Sequence, residues 1–177
     1  FLIYMFYLIG LGLNEKSLSI EALEICKNAD IIYLENYTAK IPYDISKLTK
    51  LIQKNIIQSD RDFVEKSEFL ENAKERNVIL LVYGNPLTAT THISLLMECI
   101  NKKIDYKIIS NASIFDAVAE TGMQLYKFGK VASIPKWRED YKPDSFVNVI
   151  KENLSIDAHT LILVDSGLSC KDALNQF

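Results

Sequence analysis

Histidine and cysteine, the residues that most often bind transition metals, are scarce in this sequence. The 177 residues include two histidines and three cysteines, and Cys26, Cys99 and Cys170 lie far apart. Neither His92 nor His159 has a partner at metal-ligand spacing, so we expect no zinc or iron site. Well-separated cysteines, two of them on apolar helix patterns, are typical of reduced, packed thiols and favour a cytoplasmic protein.

Several other features that would define a function are also lacking. The net charge is −3 and no block of like charges occurs, so a general nucleic-acid binder is not expected. The apolar stretch 1–9 is too short to cross a bilayer and lacks the basic start and cleavage site of a signal peptide. The chain has neither a phosphate-binding Gly-Lys-Ser/Thr loop nor a Gly-x-Ser-x-Gly elbow. Gly10-x-Gly12 lacks the third glycine of a dinucleotide fingerprint, because position 15 is Glu15.

Strand-like and helix-like stretches alternate along the whole chain. Short apolar runs such as 6–9, 31–34 and 106–109 are typical of buried strands, and the amphipathic stretch 60–76 is typical of a helix. This alternation predicts an α/β fold, with a mostly parallel sheet and helices on both faces.

The most informative segment runs from Val82 to His92. The apolar stretch 78–83 is too short for a helix and too apolar for an exposed strand, so it predicts a buried parallel strand. It ends at the corner Gly84-Asn85-Pro86, which passes into a hydroxyl-rich helix start. Ligands of open α/β sheets bind beyond the carboxyl ends of such strands, so we expect a small-molecule site near Asn85. An ordinary strand-to-helix turn is the alternative.

A second polar corner, Asn111-Ala112-Ser113-Ile114, follows the predicted strand 106–109. The carboxyl ends of parallel strands meet at one edge of a sheet, so this corner is expected to lie beside Asn85. Ser113 either caps the following helix or helps the amides of the helix start to hold a polar ligand group. Two such corners at one edge favour a shared pocket.

The two ends of the sequence suggest the domain organisation. Met5 stands directly before a strand, so residues 1–4 are interpreted as an upstream extension. Residues 5–165 are expected to form one α/β domain. Residues 166–177 stop inside a helical pattern, which suggests the start of a second, truncated domain.

Several short motifs occur in an order and spacing typical of one known enzyme family. The most specific are Ala89-Thr90-Thr91-His92 and Leu125-Tyr126-Lys127-Phe128-Gly129, whereas the Gly84-x-Pro86 turn is more widespread. Further matching segments are 7–13, 33–38, 60–61, 111–114, 124, 130, 143–146, 151–153 and 159–161. With these motifs the chain resembles the diphthine synthase family, which belongs to the tetrapyrrole methylase-like class of S-adenosylmethionine-dependent methyltransferases.

The resemblance implies two α/β domains with the cofactor in the cleft between them. It implies methyl transfer from S-adenosylmethionine to the modified histidine of translation elongation factor 2, in diphthamide biosynthesis. We expect a cytoplasmic homodimer that uses no metal, nucleic acid or membrane. His92 and Glu35 are polar candidates for the base that takes a proton from the acceptor nitrogen, but the catalytic residue stays unassigned. By motif match, the cofactor-contacting positions are Leu13, Asn85, Thr88, Ser113, Ile114 and Val164.

Position 85 departs from the family pattern, which usually has aspartate there. An ionised aspartate would favour a cationic sulfonium, and the loss of a charge-assisted hydrogen bond weakens binding by roughly 1–3 kcal/mol. We therefore expect Asn85→Asp to tighten cofactor binding.

Two alternative functions stay open. One is a methylase of the same fold that acts on a corrinoid precursor or on ribosomal RNA, although the chain has no basic patch for RNA. The other is a non-catalytic or truncated methylase fragment that only binds a partner or dimerises through exposed apolar surface.

Overall fold

A computed structural model describes residues 4–177 of the chain. These residues divide into two compact units, the first ending at Asp116 and the second running from Ala117 to Phe177. Of the predicted upstream extension, residues 1–3 lie outside the described residues. The domain boundary predicted between residues 165 and 166 stays a prediction.

The first unit contains a five-stranded sheet in which every strand pairs in parallel with its neighbours. The strand order is β3-β2-β4-β1-β5. All five residues of β4 are buried, as its uninterrupted apolar sequence predicts for a central parallel strand. The strands are β1 (Phe6–Gly10), β2 (Ile31–Glu35), β3 (Ile57–Ser59), β4 (Val78–Val82) and β5 (Tyr106–Ile109).

Helices cover both faces of this sheet, which confirms the predicted α/β architecture. One core cluster contains residues of the first two helices and alternate residues of the strands, such as Ile9 and Leu81. The other contains residues of the next helices together with Leu8 and Leu80. The helices are α1 (Ile20–Asn28), α2 (Ile45–Ile52), α3 (Arg61–Lys66), a 3₁₀ helix (Glu68–Lys74), α4 (Ile93–Lys102) and the single turn α5 (Ile114–Ala117).

The strand order creates a point at which the connections of two neighbouring strands diverge. The chain leaves β1 through α1 to reach β2, towards the β3 edge, but it leaves β4 through α4 to reach β5 at the opposite edge. The helices α1 and α4 cover opposite faces, and β1 and β4 are neighbours. Such a divergence leaves a crevice at the carboxyl ends of the two strands, where ligands of α/β sheets bind.

The second unit is built around a two-stranded parallel sheet. Its small core contains Ala132, Ile134, Phe146 and Ala173, against which partly buried residues such as Val147 and Ile162 pack. Its elements are two short 3₁₀ helices (Val118–Thr121 and Leu125–Lys127), β6 (Ala132–Ile134), α6 (Ser145–Ser155), β7 (Ile162–Val164) and α7 (Cys170–Leu174).

The structure corrects the prediction of one long helix over residues 60–76. Ser67 adopts a left-handed conformation, with φ +54°, which ends α3 and begins the 3₁₀ helix. Phe69 and Leu70 are buried, whereas Phe63 is 38% exposed. The edge strand β3 was not predicted because its three residues, which include the exposed Ile57, form no apolar run.

Candidate functional site

The loops that follow β1 and β4 are joined directly by their backbones. Gly12 N–H donates to Gly84 O at 3.1 Å, and Gly84 N–H donates to Gly12 O at 3.0 Å. Leu11 N–H also donates to Val82 O at 2.8 Å. Both glycines have positive φ, +68° at Gly12 and +77° at Gly84, a conformation that other residues rarely adopt. The corners that follow β1 and β4 are therefore tightly paired.

Glycine is needed at positions 10 and 12 because other parts of the protein fill the space around them. A β-carbon on Gly10 would lie 2.6 Å from Gly84 O, and one on Gly12 would lie 2.5 Å from Ser17 Cβ. At Gly84 the nearest atoms would be 3.8 Å away at Ala112 O and 3.9 Å away at Ser113 Cα. The Gly-x-Gly pair thus serves close packing, while Gly84 lies beside the corner after β5 with space next to it.

Asn111 connects the corner after β5 to the loop after β1. Its side-chain Nδ2 donates to Gly10 O at 3.1 Å and to Ser17 O at 2.9 Å. Its Oδ1 accepts a hydrogen bond from Ala112 N–H at 2.8 Å. One side chain therefore holds three segments together, a role that no sequence motif indicated because its partners are about a hundred residues away.

Asn85 joins the corner after β4 to the corner after β5. Its Nδ2 donates to the Asn111 carbonyl at 2.9 Å, and its Oδ1 accepts from Leu87 N–H at 3.0 Å. Because the first partner can only accept and the second can only donate, the positions of the amide oxygen and nitrogen are fixed. Thr88 N–H donates to Asn85 O at 3.3 Å and closes the turn. The two predicted corners thus meet at one edge of the sheet.

Ser113 caps the helical turn that follows it, which was the first of the two roles predicted for it. Its Oγ accepts from Phe115 N–H at 3.2 Å, and its own N–H donates to Asp116 Oδ2 at 2.6 Å. The Ser113 hydroxyl also donates to Asp116 Oδ2 at 3.0 Å. These two hydrogen bonds, first from the backbone and then from the hydroxyl, lower the pKa of Asp116. The arrangement is a reciprocal cap that satisfies both residues.

The remaining predicted contacts differ in their surroundings. Leu13 is half-buried, and its carbonyl accepts a hydrogen bond from the Tyr83 hydroxyl at 2.9 Å. Ile114 is 46% exposed. Val164 belongs to the second unit, where it is the last residue of β7. The assignment of all six positions as cofactor contacts remains a prediction.

His92 and Glu35, the two candidate bases, are both buried. His92 is 1% exposed, and both ring nitrogens have protein partners: Nδ1 lies 3.0 Å from Pro86 O, and Nε2 lies 3.3 Å from Tyr37 Oη. Glu35 is 0% exposed; its Oε2 accepts from Thr38 N–H at 3.0 Å. Its Oε1 has no hydrogen-bond partner among residues 4–177. Tyr37 is the member of this group that the sequence did not single out.

The described residues offer no membrane-spanning helix, no cluster of metal ligands and no reactive thiol at Cys26 or Cys99. No helix in residues 4–177 is both long and apolar enough to cross a membrane. No cluster of three or more histidine, cysteine, aspartate or glutamate side chains within that range could hold a metal ion. Burial raises the pKa of Cys26 to about 12 and that of Cys99 to about 11, so these thiols are not nucleophiles near neutral pH.

Known proteins resemble this chain along most of its length. Residues 5–176 match the family model of the tetrapyrrole (corrin/porphyrin) methylases. The diphthine methyl ester synthase of Schizosaccharomyces pombe is 44% identical over 164 residues, which cover 91% of this chain and 58% of that protein. The human diphthine methyl ester synthase is 38% identical over 164 residues, with the same two coverages. A crystal structure of a diphthine synthase matches with a TM-score of 0.88 and 36% identity, covering 97% of this chain and 69% of that one. This chain therefore spans about 58% of the length of the curated relatives it matches.

Proposed function

Because the chain belongs to the tetrapyrrole methylase family and, within it, to the diphthine synthases, we propose that the protein is an S-adenosylmethionine-dependent methyltransferase. Its proposed acceptor is the modified histidine of translation elongation factor 2, and its proposed place is diphthamide biosynthesis. The observation that carries the proposal is the hydrogen bond from Asn85 to Asn111, which joins two polar corners at the crevice between β1 and β4. Binding sites of α/β sheets form at such a crevice.

The residues at the two corners suit the proposed cofactor. S-adenosylmethionine combines a charged amino acid, a sulfonium and an adenine ring, so its site needs polar and apolar surfaces side by side. Asn85 and Thr88 are half-buried and polar, while Leu13 and Ile114 offer apolar surface. The absence of a side chain at Gly84 leaves space beside Ser113, since the nearest atom of that residue would be 3.9 Å from an added β-carbon.

The contribution of this chain to the reaction is positioning. When bound, S-adenosylmethionine supplies a methyl group that is already activated by its sulfonium for in-line displacement by a neutral nitrogen. The bridged corners at Asn85 and Asn111 would hold the donor in one orientation, and much of the rate comes from such alignment. His92 and Glu35 are buried and cannot reach an acceptor in the crevice without rearrangement, so the residue that accepts the proton stays unassigned.

The experiment that tests the function uses the full-length protein. Calorimetry measures S-adenosylmethionine binding, and transfer of radiolabelled methyl is measured on elongation factor 2 that carries the modified but unmethylated histidine. The control is the same factor with that histidine replaced by alanine. Labelling that depends on the histidine supports the proposal. If only a corrinoid precursor or ribosomal RNA is labelled, the proposed substrate is wrong. If S-adenosylmethionine does not bind, the protein is a non-catalytic binding module.

We also propose that the protein is a cytoplasmic homodimer. Ile93, Met97 and Ile100 are 58%, 54% and 55% exposed, and their spacing places them on one face of α4. An exposed apolar stripe of this kind is typical of an interface, here with a second copy of the chain. Light scattering should report a dimer for the full-length protein and a monomer for Met97→Glu. Leu154→Glu, at an exposed position on α6, is the matched control that should stay dimeric.

A further inference from the structure

The carbonyl of Pro86 accepts two side-chain hydrogen bonds from the segment that follows it. Thr90 Oγ1 donates to it at 2.6 Å, and His92 Nδ1 lies 3.0 Å from it. A carbonyl oxygen can only accept, so His92 must carry a hydrogen on Nδ1. Pro86 directly follows Asn85, and the two side chains therefore hold the corner from its far side.

The other ring nitrogen of His92 is paired with Tyr37. Nε2 lies 3.3 Å from Tyr37 Oη, and the two rings meet edge to face with centroids 6.2 Å apart. In a neutral imidazole with hydrogen on Nδ1, Nε2 accepts, so the Tyr37 hydroxyl donates to it. Burial, and then the negative charges of Glu35 and Glu65, raise the pKa of Tyr37 to about 12, against a smaller opposite effect of Arg61. Tyr37 therefore keeps its proton at neutral pH.

Glu35 fixes the turn that presents Tyr37. It ends β2, the strand next to β4, and its Oε2 accepts from Thr38 N–H at 3.0 Å. The Arg61 guanidinium lies over the Tyr37 ring, 4.9 Å from its centroid. The chain of contacts thus runs from the end of β2, through Tyr37 and His92, to the corner at Asn85 and Pro86.

We propose that His92 is a positioning residue for the cofactor: its Nδ1–H fixes the Pro86 carbonyl and, through it, the Asn85 corner, while Tyr37 donates to Nε2 at the other end of the ring. The inference rests on the proposed function, because it assigns this corner to S-adenosylmethionine. His92 does not take part in the chemistry: it is buried, and both ring nitrogens are occupied by protein groups.

Two substitutions separate the roles of the two ring nitrogens. His92→Asn keeps an amide donor near the position of Nδ1, whereas His92→Gln keeps a polar group near the position of Nε2 and leaves the Pro86 carbonyl with Thr90 alone. In the full-length protein, we expect His92→Gln to weaken S-adenosylmethionine binding about tenfold in calorimetry, and His92→Asn to stay within about threefold of wild type. The KM for the cofactor should rise in parallel, by a larger factor than any fall in kcat from looser alignment of the donor, which a general loss of stability would not produce.

Two further measurements do not depend on the cofactor. Nitrogen NMR of the wild-type protein should show hydrogen on His92 Nδ1, and Tyr37→Phe, which keeps the ring, should leave it there, because the Pro86 carbonyl still accepts from Nδ1. Hydrogen exchange at the Leu87 amide, which is bonded to Asn85 Oδ1, should be faster in His92→Gln than in His92→Asn or wild type.

The inference is overturned if wild-type His92 carries its hydrogen on Nε2, or if Leu87 exchanges equally in all three proteins. A fall in kcat with an unchanged KM also overturns it, since His92 would then act on the reaction itself. If the wild type does not bind S-adenosylmethionine, the proposed function fails, while the tautomer and exchange measurements still decide whether His92 fixes the corner.

Discussion

The side-chain amide of Asn85 donates to the backbone carbonyl of Asn111 at 2.9 Å, although the two residues are 26 positions apart in the chain. They follow β4 and β5, and β1 lies between these strands in the sheet. The bridge passes over the end of β1, where Gly10 has no side chain; a β-carbon there would lie 3.0 Å from Asn111 Cβ. An amide at position 85 and a glycine at position 10 are therefore two parts of one arrangement.

Asn85→Asp is expected to lower stability and to tighten cofactor binding at the same time. An aspartate cannot donate to the Asn111 carbonyl, so two acceptors would face each other, and unfolding free energy should fall by about 1–3 kcal/mol. The new negative charge would favour the cationic sulfonium by a similar amount, about 1–3 kcal/mol. Urea denaturation measures the first effect, and calorimetry with S-adenosylmethionine on the full-length protein measures the second.

The matched control for Asn85→Asp is Asn101→Asp, which makes the same change of charge at an exposed position near the end of α4. It should leave both stability and cofactor affinity within about 0.5 kcal/mol of wild type. Equal or weaker affinity in Asn85→Asp would refute the expectation that charge at this position assists the cofactor.

Alanine substitutions at Gly10 and Gly84 should differ in their effect on stability. Gly10→Ala places a β-carbon 2.6 Å from Gly84 O and 2.9 Å from Pro86 Cδ, so the paired corners must separate; we expect a loss of about 3 kcal/mol or more. Gly84→Ala meets nothing closer than 3.8 Å and should lose only the roughly 1–2 kcal/mol of its left-handed backbone. Gly122→Ala is the control for backbone strain alone, because Gly122 has φ +79° and an added β-carbon would meet no atom within 4 Å. Denaturant unfolding that ranks Gly84→Ala below Gly10→Ala in stability would contradict this account.

The sequence predicted those parts of the fold that depend on local patterns. The fully apolar run of β4 indicates a buried strand wherever it occurs, and a polar corner after a strand indicates one particular edge of the sheet. The sequence did not predict the left-handed Ser67 that divides the helix over 60–76, since serine enters that conformation only under tertiary constraint.

The sequence also did not predict the side-chain hydrogen bonds that hold the candidate site together. Asn111 bonds to Gly10 and Ser17, which are 101 and 94 positions away, and no local pattern encodes such pairs. The sequence offered His92 as a polar candidate for the base. Its burial against Pro86 and Tyr37 depends on how α4 packs on the sheet, which is a property of the folded chain.

The cap between Ser113 and Asp116 should make stability depend on pH in the acid range. Hydrogen bonds from Ser113 lower the folded pKa of Asp116 below that of the unfolded chain, about 3.9. The cap therefore contributes fully above this pH, and its contribution is lost as the pH falls through the folded pKa. The difference in unfolding free energy between wild type and Asp116→Asn should be constant from pH 7 to about pH 5 and shrink below about pH 4.

Thermal or urea unfolding at a series of pH values checks this difference. Ser113→Ala removes the hydroxyl donor but keeps the backbone donor to Asp116. The pH dependence of its stability should therefore lie between those of wild type and Asp116→Asn. A difference that stays constant down to pH 2.5 would show that the carboxylate form of Asp116 is not preferred in the folded protein.

Glu35→Gln should maintain or raise the stability of the protein, in contrast to most substitutions of a buried residue. The carboxylate of Glu35 is 0% exposed, and Oε1 finds no donor in the described part of the chain, so the folded state holds an incompletely solvated charge. Glutamine keeps an oxygen for Thr38 N–H and removes the charge, and we expect the unfolding free energy at pH 7 to be unchanged or higher by about 1–3 kcal/mol.

Glu35→Ala, which removes the acceptor as well, should instead lose about 1–3 kcal/mol of unfolding free energy. Glu24→Gln removes a charge at an exposed position of α1 and should change stability by less than about 0.5 kcal/mol. If urea denaturation shows Glu35→Gln to be as destabilised as Glu35→Ala, the charge itself stabilises the fold and must have a partner.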